Sequence, residues 1–176
     1  TGHGKRWAEL NPGWEVRMWG REQIEALELK NRRIWDHIME HGGNSSIAHT
    51  WAAARATQLS DIAKYELIHQ FGGVWVDCDM EPLRPLSELP LDGGSAWAPI
   101  EALKIVNNGA IGGPKGHPFW AKVIEELPKS WDAKPGQPMH LTTGPWFLTD
   151  FAHADPEFKV LPKETFNYAL YSDVRV

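Results

Sequence analysis

The 176-residue chain has a single cysteine, Cys78, which excludes an internal disulfide framework. Thiols stay reduced in the cytosol, so a reducing compartment and a cytoplasmic location are the expectation. No run approaches the roughly 20 consecutive apolar residues that a membrane-spanning helix needs, and the residues after Thr1 show no signal-peptide pattern. Basic charge is also scarce. Eighteen Lys and Arg against 23 Asp and Glu leave a net charge of −5, which argues against DNA or RNA as a partner, because such surfaces carry a basic excess. Eight histidines are present; His37 and His41 alone share the His-x-x-x-His spacing, no Cys–His spacing accompanies them, and a zinc site is not expected. Gly-x-Ser-x-Gly and Walker-type loops are missing, and so are internal repeats and low-complexity linkers. A small-molecule or carbohydrate ligand fits such a chain best.

What is present suits one domain: 42% of residues are hydrophobic and ten are Trp, enough for a packed core at this length. Residues 1–10 read as a loop and short helix ending before the turn signal Asn11-Pro12-Gly13. Trp14 to Trp19 alternates apolar and polar residues, which predicts a strand. Residues 21–41 carry amphipathic helical spacing for one or two helices. Gly42 to Ser46 reads as a loop, and Ile47 to Leu59 has an Ala-rich helical composition. Ser60 is a candidate N-cap for a helix through Phe71, which Gly72-Gly73 ends. Further on, Met80 to Leu86 is a proline-broken loop and Ser95 to Ile100 a strand. Lys104 to Gly113 reads as apolar pieces interrupted by amides and glycines, suited to a ligand-facing segment or a hairpin turn. Pro118 to Leu127 is a helix that Pro128 should end, Trp146 to Ala152 another helix, and Phe158 to Pro162 a late strand.

The chemistry concentrates in residues 60–82. Val74-Trp75-Val76 leads into Asp77-Cys78-Asp79, and strand periodicity places Trp75, Asp77 and Asp79 on one side, with Cys78 packing on the other. Two carboxylates leaving one strand end are costly unless a cation or several donors compensate them, and ligands in open α/β sheets sit at such ends. Mg²⁺ or Mn²⁺ bridging a nucleotide diphosphate would satisfy both charges. Asp61 and Lys64, three residues apart, form at minimum an intrahelical ion pair worth a few tenths of a kcal/mol.

From Ser60-Asp61-x-x-Lys64-Tyr65-Glu66 through Gly72-Gly73-Val74-Trp75-x-Asp77-x-Asp79, the sequence resembles the DXD-containing sugar transferases of glycosyltransferase family 32. Those are nucleotide-sugar enzymes of GT-A fold, similar more distantly to the glucosylating clostridial toxins. Asn11 to Trp19 looks like the family's second strand, and Pro82-Leu83-x-Pro85-Leu86 like its loop after the DXD. Asn107-Asn108-Gly109, Gly116-His117-Pro118 and Thr143-Gly144-Pro145 fall where the family has similar segments. The resemblance implies an α/β fold: one GT-A, Rossmann-like domain over residues 1–176, with a mixed, mostly parallel sheet flanked by helices.

Carried over by position, it implies that Asp77 and Asp79 are catalytic. Asp79 would bind Mn²⁺ or Mg²⁺ directly, and Asp77 would contact the metal shell or the donor ribose. Asp61 and Lys64 would hold donor-sugar hydroxyls, and Asn107, Asn108, Thr143 and Gly144 would serve the sugar and acceptor side. The implied reaction moves a hexose from a UDP- or GDP-sugar to an acceptor hydroxyl on a carbohydrate, lipid-linked or protein partner, with retention through front-face attack. A homo-oligomer is compatible with this reading. Three departures stand out: Lys64 stands where the family usually has Arg, the family's first strand before the Asn11 segment is absent or reduced to a few residues, and the sequence stops after Asn167-Tyr168 before the family's usual His/Trp segment, so the expectation is a domain truncated at both ends or a compact variant. A non-catalytic nucleotide-sugar or carbohydrate-binding module is therefore an alternative, as is a metal-dependent phosphohydrolase using the same aspartates.

Overall fold

The computed structural model describes residues 2–43, 51–101 and 104–166. Helix α1 (Gly2–Leu10) is followed by two amphipathic helices, α2 (Arg21–Glu25) and α3 (Arg32–His41), and then by the long α4 (Trp51–Phe71). Strand β1 (Gly73–Val76) comes next, then β2 (Ala96–Pro99) and β3 (Ala110–Gly113). Helices α5 (Pro118–Ala133), α6 (Met139–Thr142) and α7 (Pro145–Ala152) precede β4 (Phe158–Leu161). The four strands form one sheet in the order β1-β3-β2-β4. The β1–β3 and β2–β3 pairs are antiparallel and β2–β4 is parallel. The sheet is thus mixed and flanked by helices, as expected, although two of its three pairings are antiparallel rather than most being parallel.

The core lies between the sheet and α3, α4, α5 and α7. Ile62, Ala63, Leu67 and Ile68 of α4 meet Ile34 and Ile38 of α3, Phe119, Trp120, Val123 and Ile124 of α5, and Ile111 of β3. Burial of this apolar surface, at about 25 cal/mol per Å², is what holds α4 across the molecule. His117 caps α5 by accepting the Phe119 N–H on Nδ1 at 3.1 Å, with Pro118 at the first helical position, where a missing N–H costs nothing.

Four expectations are corrected. Ser60 is not an N-cap, because α4 already starts at Trp51 and passes through it; the Ala-rich residues before it supply the helix propensity. Residues 44–50, which include most of the predicted loop and the start of that Ala-rich stretch, lie outside the described residues. Pro128 does not end α5, which runs on to Ala133. Proline leaves the carbonyl four residues back without its helical donor, and here the buried Asn31 side chain donates to that Ile124 carbonyl at 3.0 Å. Trp14 to Trp19 forms no strand. It has no ladder partner among the described residues, a cavity separates it from β1, and Trp14, Val16 and Met18 are exposed. Finally, β1 ends at Val76, so the Asp-x-Asp residues sit in a turn and Cys78 is exposed rather than packed.

Candidate active site

The site is built where α4 turns into β1. The Gly72 N–H closes the helix onto the Ile68 carbonyl at 2.9 Å with φ +72, a conformation that glycine adopts without strain. A Cβ there would also lie 2.6 Å from the Lys115 backbone nitrogen. Strand β1 pairs with β3 in the register Trp75↔Ile111 and Val76↔Ala110. Pairing reaches one residue further, with the Asp77 N–H donating to the Gly109 carbonyl at 2.8 Å, and then the chain bends as the Met80 N–H donates to the Asp77 carbonyl at 3.0 Å. Asp77 is therefore fixed at its backbone. Asp79 is exposed at the tip of the turn and makes no hydrogen bond or ion pair among the described residues.

Behind the turn lies a buried polar cluster. The Lys64 ammonium stands 3.4 Å from Asp61 Oδ1 and 3.1 Å from Asp77 Oδ1, so the intrahelical pair is real but extends across to the strand. Asp61 Oδ1 accepts from Asn108 Nδ2 at 2.8 Å, and its Oδ2 accepts from the Thr143 hydroxyl at 3.0 Å. Tyr65 donates to the Thr143 carbonyl at 2.9 Å and accepts from Asn108 at 3.2 Å. Trp75 Nε1 donates to Asp77 Oδ1 at 2.8 Å. Gly144 lies against Asp61, close enough that an added Cβ would be 3.2 Å from Oδ2. Asn107 is buried beside this cluster but turns away from it, donating to Glu101 and accepting the Gly109 N–H.

The electrostatics follow from burial. Asp61 and Lys64 side chains are 4% and 2% exposed, and that of Asp77 is 35% exposed. Burial pushes the Asp61 carboxyl up, opposed by Lys64 and by the Thr143 and Asn108 hydrogen bonds. Burial, followed by the Asp61 charge, holds the Tyr65 phenol well above its ordinary value. Among the described residues Lys64 is the only cation in contact with Asp61 and Asp77, so the ionised trio carries one excess negative charge on the side where Asp77 meets solvent. Ion pairs removed from water are stable only when every partner is satisfied. Asp61 is, whereas Asp77 Oδ2 has no hydrogen bond among the described residues.

A divalent cation fits this donor set in a limited way. Asp77 Oδ2 and the unpaired Asp79 are hard oxygen donors, and no group of three metal-ligating side chains occurs among the described residues. Mg²⁺-like ions are commonly held by one or two carboxylates and complete their shell with water and substrate phosphates.

A cavity of about 960 Å³ opens beside the same turn. Trp7, Trp14, Arg55, Ser60, Trp75 and both aspartates contribute to its wall, whereas Asp61, Lys64, Asn107, Asn108, Thr143 and Gly144 do not. Asp77 is thus common to the cavity and the buried cluster. The chain leaving the turn is anchored from α1 and the residue after it: Trp7 Nε1 donates to the Met80 carbonyl at 3.1 Å, and Asn11 Oδ1 accepts the Leu86 N–H at 2.7 Å.

Of the residues singled out from the sequence, the structure brings Asp61, Lys64, Asp77, Asn108, Thr143 and Gly144 together. Asn107 sits one contact away, and Asp79 stands free at the tip. Tyr65, Trp75 and Gly109 belong to the same constellation and were not singled out. Tyr65 is four residues after Asp61, hence on its helical face, and Trp75 two before Asp77, hence on its strand face; those spacings were the available signal. Gly109 ends the Asn107-Asn108-Gly109 run, which carries part of the family resemblance but gave the glycine no role of its own.

Comparison with known proteins gives the fold and the family. The solved structure of the PaToxG glycosyltransferase superposes with a TM-score of 0.63 at 12% identity, over 87% of this chain and 61% of that one, which gives the fold as the GT-A kind of glycosyltransferase. Residues 2–96 match the family model described as a glycosyltransferase sugar-binding region containing a DXD motif. The chain belongs to that family. It is also 30% identical over 94 residues to inositol phosphoceramide mannosyltransferase 3 of Schizosaccharomyces pombe (strain 972 / ATCC 24843). That match covers 52% of this chain and 26% of the yeast protein, so the matched part spans about a quarter of its relative's length. No helix among the described residues is long and apolar enough to cross a membrane.

Proposed function

We propose that this chain carries the donor side of a metal-dependent, retaining glycosyltransferase that moves a hexose from a UDP- or GDP-sugar to an acceptor hydroxyl. The observation that carries this reading is the double membership of Asp77, which one cluster of buried donors holds from behind while the large cavity opens in front. In this reading the cavity takes the nucleotide and the buried cluster forms the wall against the sugar. Sugar hydroxyls would replace the Asn108 and Thr143 donors on Asp61, and the third N–H of Lys64 remains available to a sugar oxygen. Exchange of this kind keeps the buried groups satisfied.

A Mn²⁺ or Mg²⁺ held by Asp79, with Asp77 in or beside its shell, would supply Lewis-acid stabilisation of the departing diphosphate. The remaining chemistry is positioning. Asp61, Lys64 and Asn108 orient the sugar ring, Asp77 orients the ribose or the cation, and the closed cluster keeps water from the anomeric carbon. The acceptor hydroxyl attacks from the face that the diphosphate leaves, and its proton passes to the diphosphate. No protein nucleophile is required. A mannose donor and a lipid-linked acceptor are in keeping with the name of the yeast relative.

Calorimetric titration with UDP- and GDP-sugars, with and without Mn²⁺, tests the proposal. Binding of at least one donor should require Mn²⁺ and be lost in Asp79→Ala. Asp79 is exposed and unpaired, so that substitution should change stability by no more than about 0.5 kcal/mol. Metal-independent binding, or an Asp79→Ala variant indistinguishable from the parent, would sink the reading. Turnover, including slow donor hydrolysis, separates the enzyme from a binding module. Release of inorganic phosphate from simple phosphomonoesters would point instead to a phosphohydrolase.

A further inference from the structure

The two oxygens of Asp77 are in different situations. Oδ1 receives two donors, Lys64 Nζ at 3.1 Å and Trp75 Nε1 at 2.8 Å. Neither donor can act as an acceptor, so the polarity of both contacts is fixed. Oδ2 receives no hydrogen bond among the described residues and rests against Gly109, where an added Cβ would stand 3.1 Å from it. Together these contacts leave the carboxylate one orientation.

Of the two donors, Lys64 is shared with Asp61, whereas the indole N–H has Asp77 Oδ1 as its acceptor. Trp75 itself is held firmly. Its backbone is paired opposite Ile111, and its ring packs against the hydrophobic core. The i, i+2 spacing on an extended chain puts its N–H on the same face as the carboxylate two residues later.

We propose that Trp75 is a positioning residue of the site, its indole N–H committing Asp77 Oδ1 to the protein so that Oδ2 alone is offered to the cation or the donor ribose. The role rests on the glycosyltransferase reading above. A carboxylate fixed in this way would hold a cation through Oδ2 alone, and the cation would supply Lewis-acid stabilisation to the departing diphosphate. Outer partners of this kind orient first ligands and are commonly worth tenfold or more in metal affinity.

The test is a double-mutant cycle in the full chain with Trp75→Phe, which removes the N–H and keeps an aromatic ring, and Asp77→Ala. Affinity for UDP and for GDP is measured calorimetrically at one fixed Mn²⁺ concentration below saturation, so that a loss of metal affinity is read in the nucleotide affinity. Trp75→Phe alone should weaken binding by about tenfold, and in the Asp77→Ala background it should change nothing, because its effect passes through Asp77. A merely structural role would give the same loss in both backgrounds and overturns the proposal. So does unchanged affinity in Trp75→Phe while Asp77→Ala loses binding.

A readout free of ligand accompanies the cycle. The Trp75 indole ¹H–¹⁵N resonance, assigned by its disappearance in Trp75→Phe, should move upfield and exchange faster with solvent in Asp77→Ala. An unmoved resonance shows that the hydrogen bond is not made and overturns the proposal whatever the binding data say. If the parent chain binds neither nucleotide with Mn²⁺, the glycosyltransferase reading fails and the positioning role falls with it, even where the indole shift is seen.

Discussion

Replacing Lys64 with methionine probes the buried charge cluster most directly. Methionine has nearly the length of lysine and is itself apolar, so the substitution removes the ammonium with little change in packing. Among the described residues it leaves Asp61, 4% exposed, without a cation, and Asp77, 35% exposed, with Trp75 as its one side-chain donor. Breaking a buried pair by removing one partner typically costs about 3–5 kcal/mol. The Asp77 half is partly screened by solvent, so most of the loss should come from Asp61. For a chain of this size 1 kcal/mol is roughly 2–4 °C in melting temperature, which predicts a drop of roughly 6–20 °C near neutral pH. The deficit should depend on pH. The Asp61 carboxyl is already pushed up by burial, and Lys64 is the first of the interactions opposing that rise. Without Lys64 its value in the folded state climbs further above the unfolded value. A raised acid binds its proton more tightly when folded, so its unfavourable contribution is absent below the unfolded value and grows as pH rises through the folded one. Melting curves by circular dichroism should therefore show the Lys64→Met deficit shrinking as pH is lowered from 8 toward 4. A deficit under about 1 kcal/mol at pH 8, or one of equal size across that range, would refute the idea that Lys64 is the counter-ion of a buried carboxylate.

The other predictions concern the frame around the site. Asn31→Ala should cost about 1–3 kcal/mol, the penalty of a buried carbonyl left without a donor, and denaturant titration should show that loss reduced in a Pro128→Ala background, where residue 128 regains an N–H for the Ile124 carbonyl. Gly72→Ala combines a φ of +72 with a Cβ placed 2.6 Å from the Lys115 backbone nitrogen, so a loss of at least about 1 kcal/mol is expected in the same titration; an unchanged midpoint would mean that the helix-to-strand turn relaxes freely. Gly109→Ala should push on Asp77 Oδ2 and Asn107 Oδ1, at 3.1 and 2.9 Å from the new carbon, and weaken Mn²⁺-dependent nucleotide binding in calorimetry more than it lowers the melting temperature.

Local sequence carries much of this molecule because the relevant forces are local. Helical spacing in residues 60–71, the Gly72-Gly73 break and the β-prone Val74-Trp75-Val76 run announce α4 and β1 directly. The same spacing places Asp61 beside Lys64, and the Asp-x-Asp pair follows from its position after the strand. Pairing direction, by contrast, depends on which strands the core brings side by side, and two of the three pairs proved antiparallel. Trp14 to Trp19 alternates like a strand, yet alternation becomes a strand only when a neighbour supplies the ladder. Pro128 reads as a stop because its rescue comes from Asn31, 97 positions earlier in the chain.

For the site, the sequence by itself determined which groups carry charge and which share one helix face or strand end: Asp61 with Lys64, and Asp77 ahead of Asp79. Only the tertiary structure decided that Lys64 reaches both aspartates, that Asn108 and Thr143 close around Asp61, and that Trp75 takes one Asp77 oxygen while the other rests against Gly109. The reason is physical. Residues 61, 77, 108 and 143 come from four separate segments, and packing of α4 against the sheet and the α6–α7 turn is what sets them within hydrogen-bond reach. The charge of a side chain is written in the chain, but its partner is chosen by the fold.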